Sequence, residues 1–284
     1  MSELVTVRSF VNTWECDENA HLNVQFYFQR FEAAQSHFLV QAGLDGAALG
    51  PRAARHVRYH SEMHAGDLIE VRSSVVDAYP GMLAIAHRMF DSTTGGLAAT
   101  ALDSYARAAP LPADFRWRTA ADPQTLPRSQ TPEPSVFVDA DDIDAPGAHL
   151  TNRSMLLPRD CDENGLALDR AIVSCFSDGA AHAWNATSLD AAWFGERNMG
   201  RVAMEMKLTV LDRFRAGTPV TMITRFTGAA GKVFTFRHVI SDARTGRAGV
   251  IGDVTALVMD MATRKAIALP AEIVEMVEKT GHPA

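Results

Sequence analysis

The apolar positions of this chain change their period in a regular order. Val24, Tyr27, Phe28, Phe31, Gln35 and Phe38 recur at the three- and four-residue spacing of one helical face, with Asn23 ahead and Gly43 behind as cap residues. That spacing predicts one helix of about five turns. The runs that follow, "HVRYHSEMH", "LIEVRSSVVDAY", "MLAIAHRMFD" and "LAATALDSYAR", alternate with period two and are separated by AGD, PG and STTGG. Short links containing glycine between such runs predict antiparallel strands. With one more strand before the helix, the unit reads strand, helix, four strands, and the helix is expected to lie across one sheet face as its core layer.

The same order then recurs. Ile172, Cys175, Phe176, Gly179 and Ala183 repeat the helical stripe with smaller side chains, and "RVAMEMKLTVLDRF", "PVTMITRF", "KVFTFRHVIS" and "AGVIGDVTALVMD" repeat the strands. Asp162, Phe176 and His182 each lie 145 positions after Asp17, Phe31 and His37. From the AGD turn onward the offset is 151, which pairs His87 with His238, Asp91 with Asp242 and Gly95 with Gly246. A short insertion between the blocks accounts for the change, and internal duplication accounts for the whole. The recurrence of His37 and His182 suggests a packing role for both. Between the copies, residues 110–147 hold seven of the 13 prolines and read as an extended connector, anchored by Phe115 and Trp117. The expected organisation is residues 1–109, a connector over 110–147, and residues 148–284.

The tetrapeptide CDEN stands before both helices, but only the first copy continues into a histidine, in "DENAHLN" at Asp17 to Asn23. This stretch resembles the D-x-N-x-H-x-N signature of plant acyl-ACP thioesterases and is similar to the aspartate motif of the 4-hydroxybenzoyl-CoA thioesterase group. The chain as a whole resembles a fused double hot-dog acyl thioesterase: an α+β tandem hot-dog in which antiparallel sheets each wrap a long central helix. The resemblance implies hydrolysis of an acyl-CoA or acyl-ACP thioester to free acid and thiol, with no metal and no organic cofactor. It also implies that Asp17, Asn19 and His21 are the working polar groups. Two departures stand out. Ala20 takes the place of a glycine common in relatives, which puts the backbone geometry of an oxyanion donor in question. In the second copy Gly165 is present, but Leu166 replaces the histidine and Leu168 the second asparagine. One working site is expected, formed by the first copy's loop against the second copy.

Thioester cleavage needs a nucleophile or activated water, and donors for the developing oxyanion. Asp17 could attack directly or take a proton from water, and the residues leave both open. Asn19 could orient either one. His21 could serve as acid or base near neutral pH, or hold the loop by a hydrogen bond. Asn23, at the positive end of the helix, marks where a substrate carbonyl would rest. On the next predicted strand His56, Arg58 and His60 share a face, with Arg58 the candidate contact for the phosphates of CoA and a solvated face the plainer alternative. Glu62 could neutralise that face. Cys16 and Cys161 are expected to be small buried side chains.

Composition narrows the field. The formal charge of −7 and pI near 5.8 over 284 residues provide no broad basic surface, so no nucleic-acid partner is expected. Three cysteines fit neither a disulfide framework nor a zinc spacing, and the N-terminus shows no export signal. A cytoplasmic protein without membrane attachment is therefore expected, either a monomer or a homodimer of fused chains. Two other functions remain on these grounds: a non-catalytic acyl-CoA binding protein, and a hot-dog hydratase or dehydratase.

Overall fold

The computed structural model describes residues 3–79, 82–105, 111 and 114–280; the Pro80–Gly81 link and Pro110 and Pro112 of the connector lie outside them. The chain divides into two compact units, Met1–Pro134 and Ser135–Ala284. The connector does not stand apart, since its first part belongs to one unit and its last part to the other.

In the first unit, β1 (Leu4–Phe10) leads through a single turn of 3-10 helix (Thr13–Glu15) into α1 (Val24–Ala42) and the short α2 (Gly46–Leu49). Then come β2 (Ala54–Tyr59), β3 (Leu68–Val76), β4 (Leu83–Asp91), β5 (Leu97–Tyr105) and the two-residue β6 (Arg118–Thr119). The sheet order is β1-β3-β4-β5-β2, antiparallel throughout, with β6 added in parallel to β3. The Asn23 side chain caps α1 by accepting from the Gln25 N–H, and Gly43 closes it in the left-handed region at φ 67°. Its inner face buries Tyr27, Phe28, Phe31, Ala34, Gln35 and Phe38, where each large apolar side chain contributes about 1.5–3 kcal/mol. Phe115 and Trp117 of the connector pack against Phe38, Leu49, Val75, Ile85 and Tyr105, as anchors should.

The second unit repeats the plan. It comprises β7 (His149–Met155), α3 (Asp169–Asn185), α4 (Ala191–Glu196), β8 (Met199–Val210), β9 (Pro219–Ala230), β10 (Val233–Asp242), β11 (Ala248–Asp260), β12 (Lys265–Ala266) and α5 (Ala271–Thr280). Its order, β7-β9-β10-β11-β8, reproduces that of the first unit strand for strand. At Gly179 an added Cβ would lie 2.2 Å from Met222 Cε and 3.3 Å from Thr151 O, so α3 approaches its sheet closely enough that a larger residue would have to displace the end of the Met222 side chain. Among the described residues no helix is long and apolar enough to cross a membrane.

Three expectations need correction. The run "HVRYHSEMH" is not one strand: β2 stops at Tyr59 because the N–H groups of His60 and Ser61 both donate to Ala98 O, at 2.8 and 3.1 Å. Two residues facing one acceptor form a bulge that turns the chain out of the ladder. The second unit does the same, with Leu211 and Asp212 both donating to Gly249 O. His37 and His182 are exposed on their helices, so their recurrence reflects no packing role. Cys16 and Cys161 are half-buried rather than buried.

Two buried polar arrangements lie under the helices. In the first unit, Thr6 Oγ1, Ser73 Oγ and His87 Nδ1 form a chain with steps of 2.7 Å each. Thr151, Thr224 and His238 repeat it with steps of 2.8 and 2.7 Å. Phe176 stacks on the His238 ring at 4.6 Å. The other arrangement belongs to the first unit alone: Arg55 on β2 faces Asp103 on β5, and its guanidinium donates to both carboxylate oxygens at 2.7 and 2.6 Å. Burial alone would raise the Asp103 carboxyl, but Arg55 and Arg52 hold it well below the ordinary range. In the second unit the corresponding facing pair is Met206 and Val254.

The Asp103→Val variant strands the Arg55 charge and should lose about 3–5 kcal/mol of stability in urea unfolding, whereas Arg55→Met/Asp103→Val should recover most of that loss. A double variant as unstable as the single would disprove the equivalence. Burial pushes the His238 imidazole down to about 3 from its ordinary 6.5. Below pH 6.5 the unfolded chain therefore takes up a proton that the native chain excludes, and this site should cost about 1.4 kcal/mol for each further unit of acidification. Urea midpoints between pH 7 and 5, compared with those of His238→Gln, measure the slope.

Candidate functional site

The loop between β1 and α1 reverses the chain within a dozen residues, and two carboxylates hold it. Glu15, 4 % exposed, accepts from the Asn12 N–H at 2.9 Å and is gripped by Arg30 of α1, whose Nη2 lies 2.8 Å from both of its oxygens. Asp17 Oδ1 accepts from the N–H groups of Asn19 (2.8 Å) and His21 (3.2 Å). The remaining backbone donors are also committed: Ala20 to Asp17 O, Leu22 to Met63 O, and Asn23 to Glu15 O. Four of the five N–H groups from Asn19 to Asn23 thus serve the loop itself, and that of Leu22 ties it to the link between β2 and β3. At the tip of α1 the Val24 N–H makes no hydrogen bond among the described residues. It is the donor that the first turn of a helix leaves for an anion.

Ala20 settles the question its side chain raised. It adopts φ 62°, close to the 72° of Gly165 at the same place in the second copy. The loop geometry is therefore kept without glycine, at a strain of about 1–2 kcal/mol for the left-handed conformation.

His21 is brought to a partner that the sequence reading assigned elsewhere. Its Nε2 lies 3.4 Å from Glu62 Oε2, with the two side chains 16 % and 32 % exposed. His21 and His64 form a backbone bridge, and their rings meet edge to face with centroids 5.0 Å apart. The bulge at His60 and Ser61 makes this possible, because it aims residues 62–64 at the loop instead of along β2. Asp17, Asn19, His21 and Asn23 are thus gathered in one loop. Asn19 is exposed, and the oxygen of Asn23 is engaged in capping. Arg58 has other partners: its Nη1 donates to the carbonyls of Pro123, Gln124 and Leu126 at 2.8, 3.1 and 2.9 Å, which ties the connector to β2.

Glu15, Arg30, Glu62 and His64 were not among the expected site residues. For Glu15 a signal existed, since Asp160 stands 145 positions later and likewise accepts from a backbone N–H, that of Leu157. The second copy also shows what the loop needs when it carries no histidine. Asp162 Oδ1 accepts from Asn164 N and Leu166 N, both at 2.9 Å, so the aspartate has a structural duty in both copies. Around it, Leu166 stands for His21, Arg213 for Glu62 and Arg215 for His64, with the Leu166–Arg215 bridge matching His21–His64. Arg213 Nη1 lies 3.5 Å from Asp162 Oδ2.

Because strain at position 20 is conformational, Ala20→Gly should raise stability by up to about 1 kcal/mol, and Gly165→Ala should lower it by a similar amount. Nothing lies within 4 Å of a Cβ built at Gly165, so steric clash does not confuse the comparison. Urea unfolding measures both, and loss of stability in Ala20→Gly would contradict the left-handed assignment.

A family profile described as the thioesterase-like superfamily matches residues 11–115 and 156–277, one stretch in each unit. A search of curated proteins finds no match. Among solved structures, an acyl-ACP thioesterase from Bacteroides thetaiotaomicron VPI-5482 is similar at TM-score 0.62 and 9 % identity, covering 90 % of this chain and 98 % of that one. A 12:0-ACP thioesterase from Umbellularia californica is similar at TM-score 0.62 and 12 % identity, covering 90 % and 94 %. At such identities the likeness is one of fold, the double hot-dog. The two-part family match and the repeated strand order agree: this chain belongs to the thioesterase-like superfamily.

Proposed function

We propose that the Asp17–Asn23 loop of the first unit is the hydrolytic centre of an acyl thioesterase with one working site per chain. Thioester hydrolysis is the activity class of the superfamily to which the chain belongs. The observation that carries the placement is the His21–Glu62 pair at the tip of α1, replaced in the second copy by Leu166 and Arg213.

In this reading His21 takes a proton from water as it adds to the acyl carbon, and Glu62 stabilises the imidazolium that forms. Asp17 keeps one oxygen on the loop, while its second oxygen, without a hydrogen bond among the described residues, holds the attacking water together with the Asn19 amide. The Val24 N–H and the positive end of α1 receive the oxyanion. Collapse of the tetrahedral adduct breaks the C–S bond, and His21 returns its proton to the departing thiolate. The acyl group is carried on CoA or an acyl carrier protein. Arg58 reaches carrier phosphates only by exchanging its connector carbonyls for them. Three free thiols suit a reducing compartment, the cytoplasm. A purely binding role draws on Ala20 together with the altered second copy. Ala20 at φ 62° keeps the loop conformation of Gly165, which favours the hydrolytic reading. Turnover of any acyl thioester at ordinary rates would eliminate the binding role.

Thiol release from a panel of acyl-CoAs and acyl-ACPs tests the assignment. His21→Ala should lower kcat/KM by about 10²–10⁴-fold, the range of a general base. Asp17→Asn keeps an oxygen for the loop N–H groups and so isolates the carboxylate's chemical part; full activity in that variant would remove Asp17 from the mechanism. Asp162→Asn should leave the rate within about twofold.

A further inference from the structure

His21, Glu62 and His64 offer two imidazoles and a carboxylate whose ligand atoms all lie within 4.8 Å of one another. Two ligands on one tetrahedral ion at a bond length of about 2.1 Å stand roughly 3.4 Å apart. His21 Nε2 and Glu62 Oε2 already hold that separation, at 3.4 Å. The third ligand has room to close in, since the His64 side chain is 56 % exposed, and the Asp67 carboxylate beside its Nδ1 at 3.8 Å supplies the kind of outer partner that orients a ligating imidazole. The ligand types are those that borderline divalent transition ions take, and they leave a fourth position open.

The surroundings favour a cation. Two further carboxylates stand beside the cluster: Asp17 Oδ1 accepts from the His21 N–H at 3.2 Å, and Asp67 Oδ2 accepts from the His64 N–H at 2.7 Å. The Cys16 thiol is raised by burial and then by Asp17, Glu15 and Asp67, against a lowering backbone hydrogen bond. The second copy is an internal control, because the same three places hold Leu166, Arg213 and Arg215, which offer no ligand and two positive charges.

We propose that His21, Glu62 and His64 form a site for a divalent transition-metal ion of the zinc class, and that occupancy switches hydrolysis off. The site itself is independent of the functional reading above; the inhibition rests on it, since an ion on His21 Nε2 takes the place of the proton shared with Glu62 and leaves the remaining ring proton on Nδ1, the nitrogen that would otherwise accept from water.

The test uses the full chain, stripped with chelator and titrated with zinc sulfate against a chromogenic zinc indicator. One zinc per chain is expected, with affinity on the order of micromolar, weakened at least about tenfold in His64→Phe and in Glu62→Gln. His64→Phe keeps the edge-to-face ring contact and loses only the ligand; circular dichroism checks its fold, and Glu62→Gln removes a different ligand without changing size. No stoichiometric zinc, or wild-type affinity retained in both variants, overturns the site. In the hydrolysis assay, added zinc should suppress the wild type at least about tenfold, reversibly with chelator, and leave His64→Phe little affected. Zinc-loaded wild type that hydrolyses as fast as the stripped chain, or faster, overturns the inhibition. If the stripped chain cleaves no acyl thioester, the functional reading falls while the binding titration still decides the metal site.

Discussion

The structure of this site depends on one constraint: a tight loop must satisfy its own backbone donors before it can present a side chain. Asp17 and Glu15 meet it in the first copy, and Asp162 and Asp160 in the second. A backbone N–H left without a partner in a partly buried turn costs about as much as a lost hydrogen bond. An aspartate that accepts from residues two and four positions ahead removes two such costs at once. The loop therefore keeps its shape whatever follows in the chain, and position 21 or 166 can change from histidine to leucine without disturbing it. Buried ion pairing between Glu15 and Arg30 then fixes the loop to α1, so the place of His21 relative to the helix end is set by the fold rather than by a ligand.

Comparison of the two units separates what the fold requires from what the first copy adds. Both keep the carboxylate loop, the bulge that ends the strand ahead of the AGD or AGT turn, and the hydroxyl chain to a buried histidine. They differ in sign around the loop. The first copy surrounds it with Glu62, His64 and Asp67, the second with Arg213 and Arg215. Three side chains of one inter-strand link have changed, Glu62 to Arg213, His64 to Arg215 and Asp67 to Thr218, and the electrostatic character of the helix tip has inverted with them.

The duplication, the caps of α1 and the strand order within each copy were legible because each rests on local patterning: Asn23 and Gly43 are cap residues by conformation, and period-two runs between glycine turns pair with their neighbours. The partnership of His21 with Glu62 was not legible. It depends on a bulge at His60 and Ser61 that no propensity announces, since both amides turn to one carbonyl on β5's leading end. Read as an unbroken strand, the same residues put Glu62 on a face with Arg58. The partners of Arg58 were not legible for a related reason, because its acceptors are carbonyls of the connector, some 65 positions away in sequence. Recurrence misled at His37 and His182, where an exposed helical position retained its residue without packing.

The Arg55–Asp103 pair extends this reasoning to the core. A fully buried ion pair loses its hydration, and apolar side chains of similar size often serve stability equally well. The second unit shows that alternative in place: Met206 faces Val254 at the same register on the corresponding strands, in a sheet of the same order. The architecture thus does not require the charges. In the first unit they do something the apolar pair cannot, since Arg55 Nη2 also donates to Phe31 O in α1 at 3.4 Å and Asp103 lies 3.6 Å from His87 Nε2. Helix and sheet are joined there by charged directional contacts, where α3 has the weaker Ser154 Oγ–Cys175 Sγ contact at 3.5 Å and a close approach at Gly179. Directional contacts fix the rotation and height of a helix more narrowly than apolar packing does. The copy that carries His21 at its helix tip is the copy whose helix is held in this way.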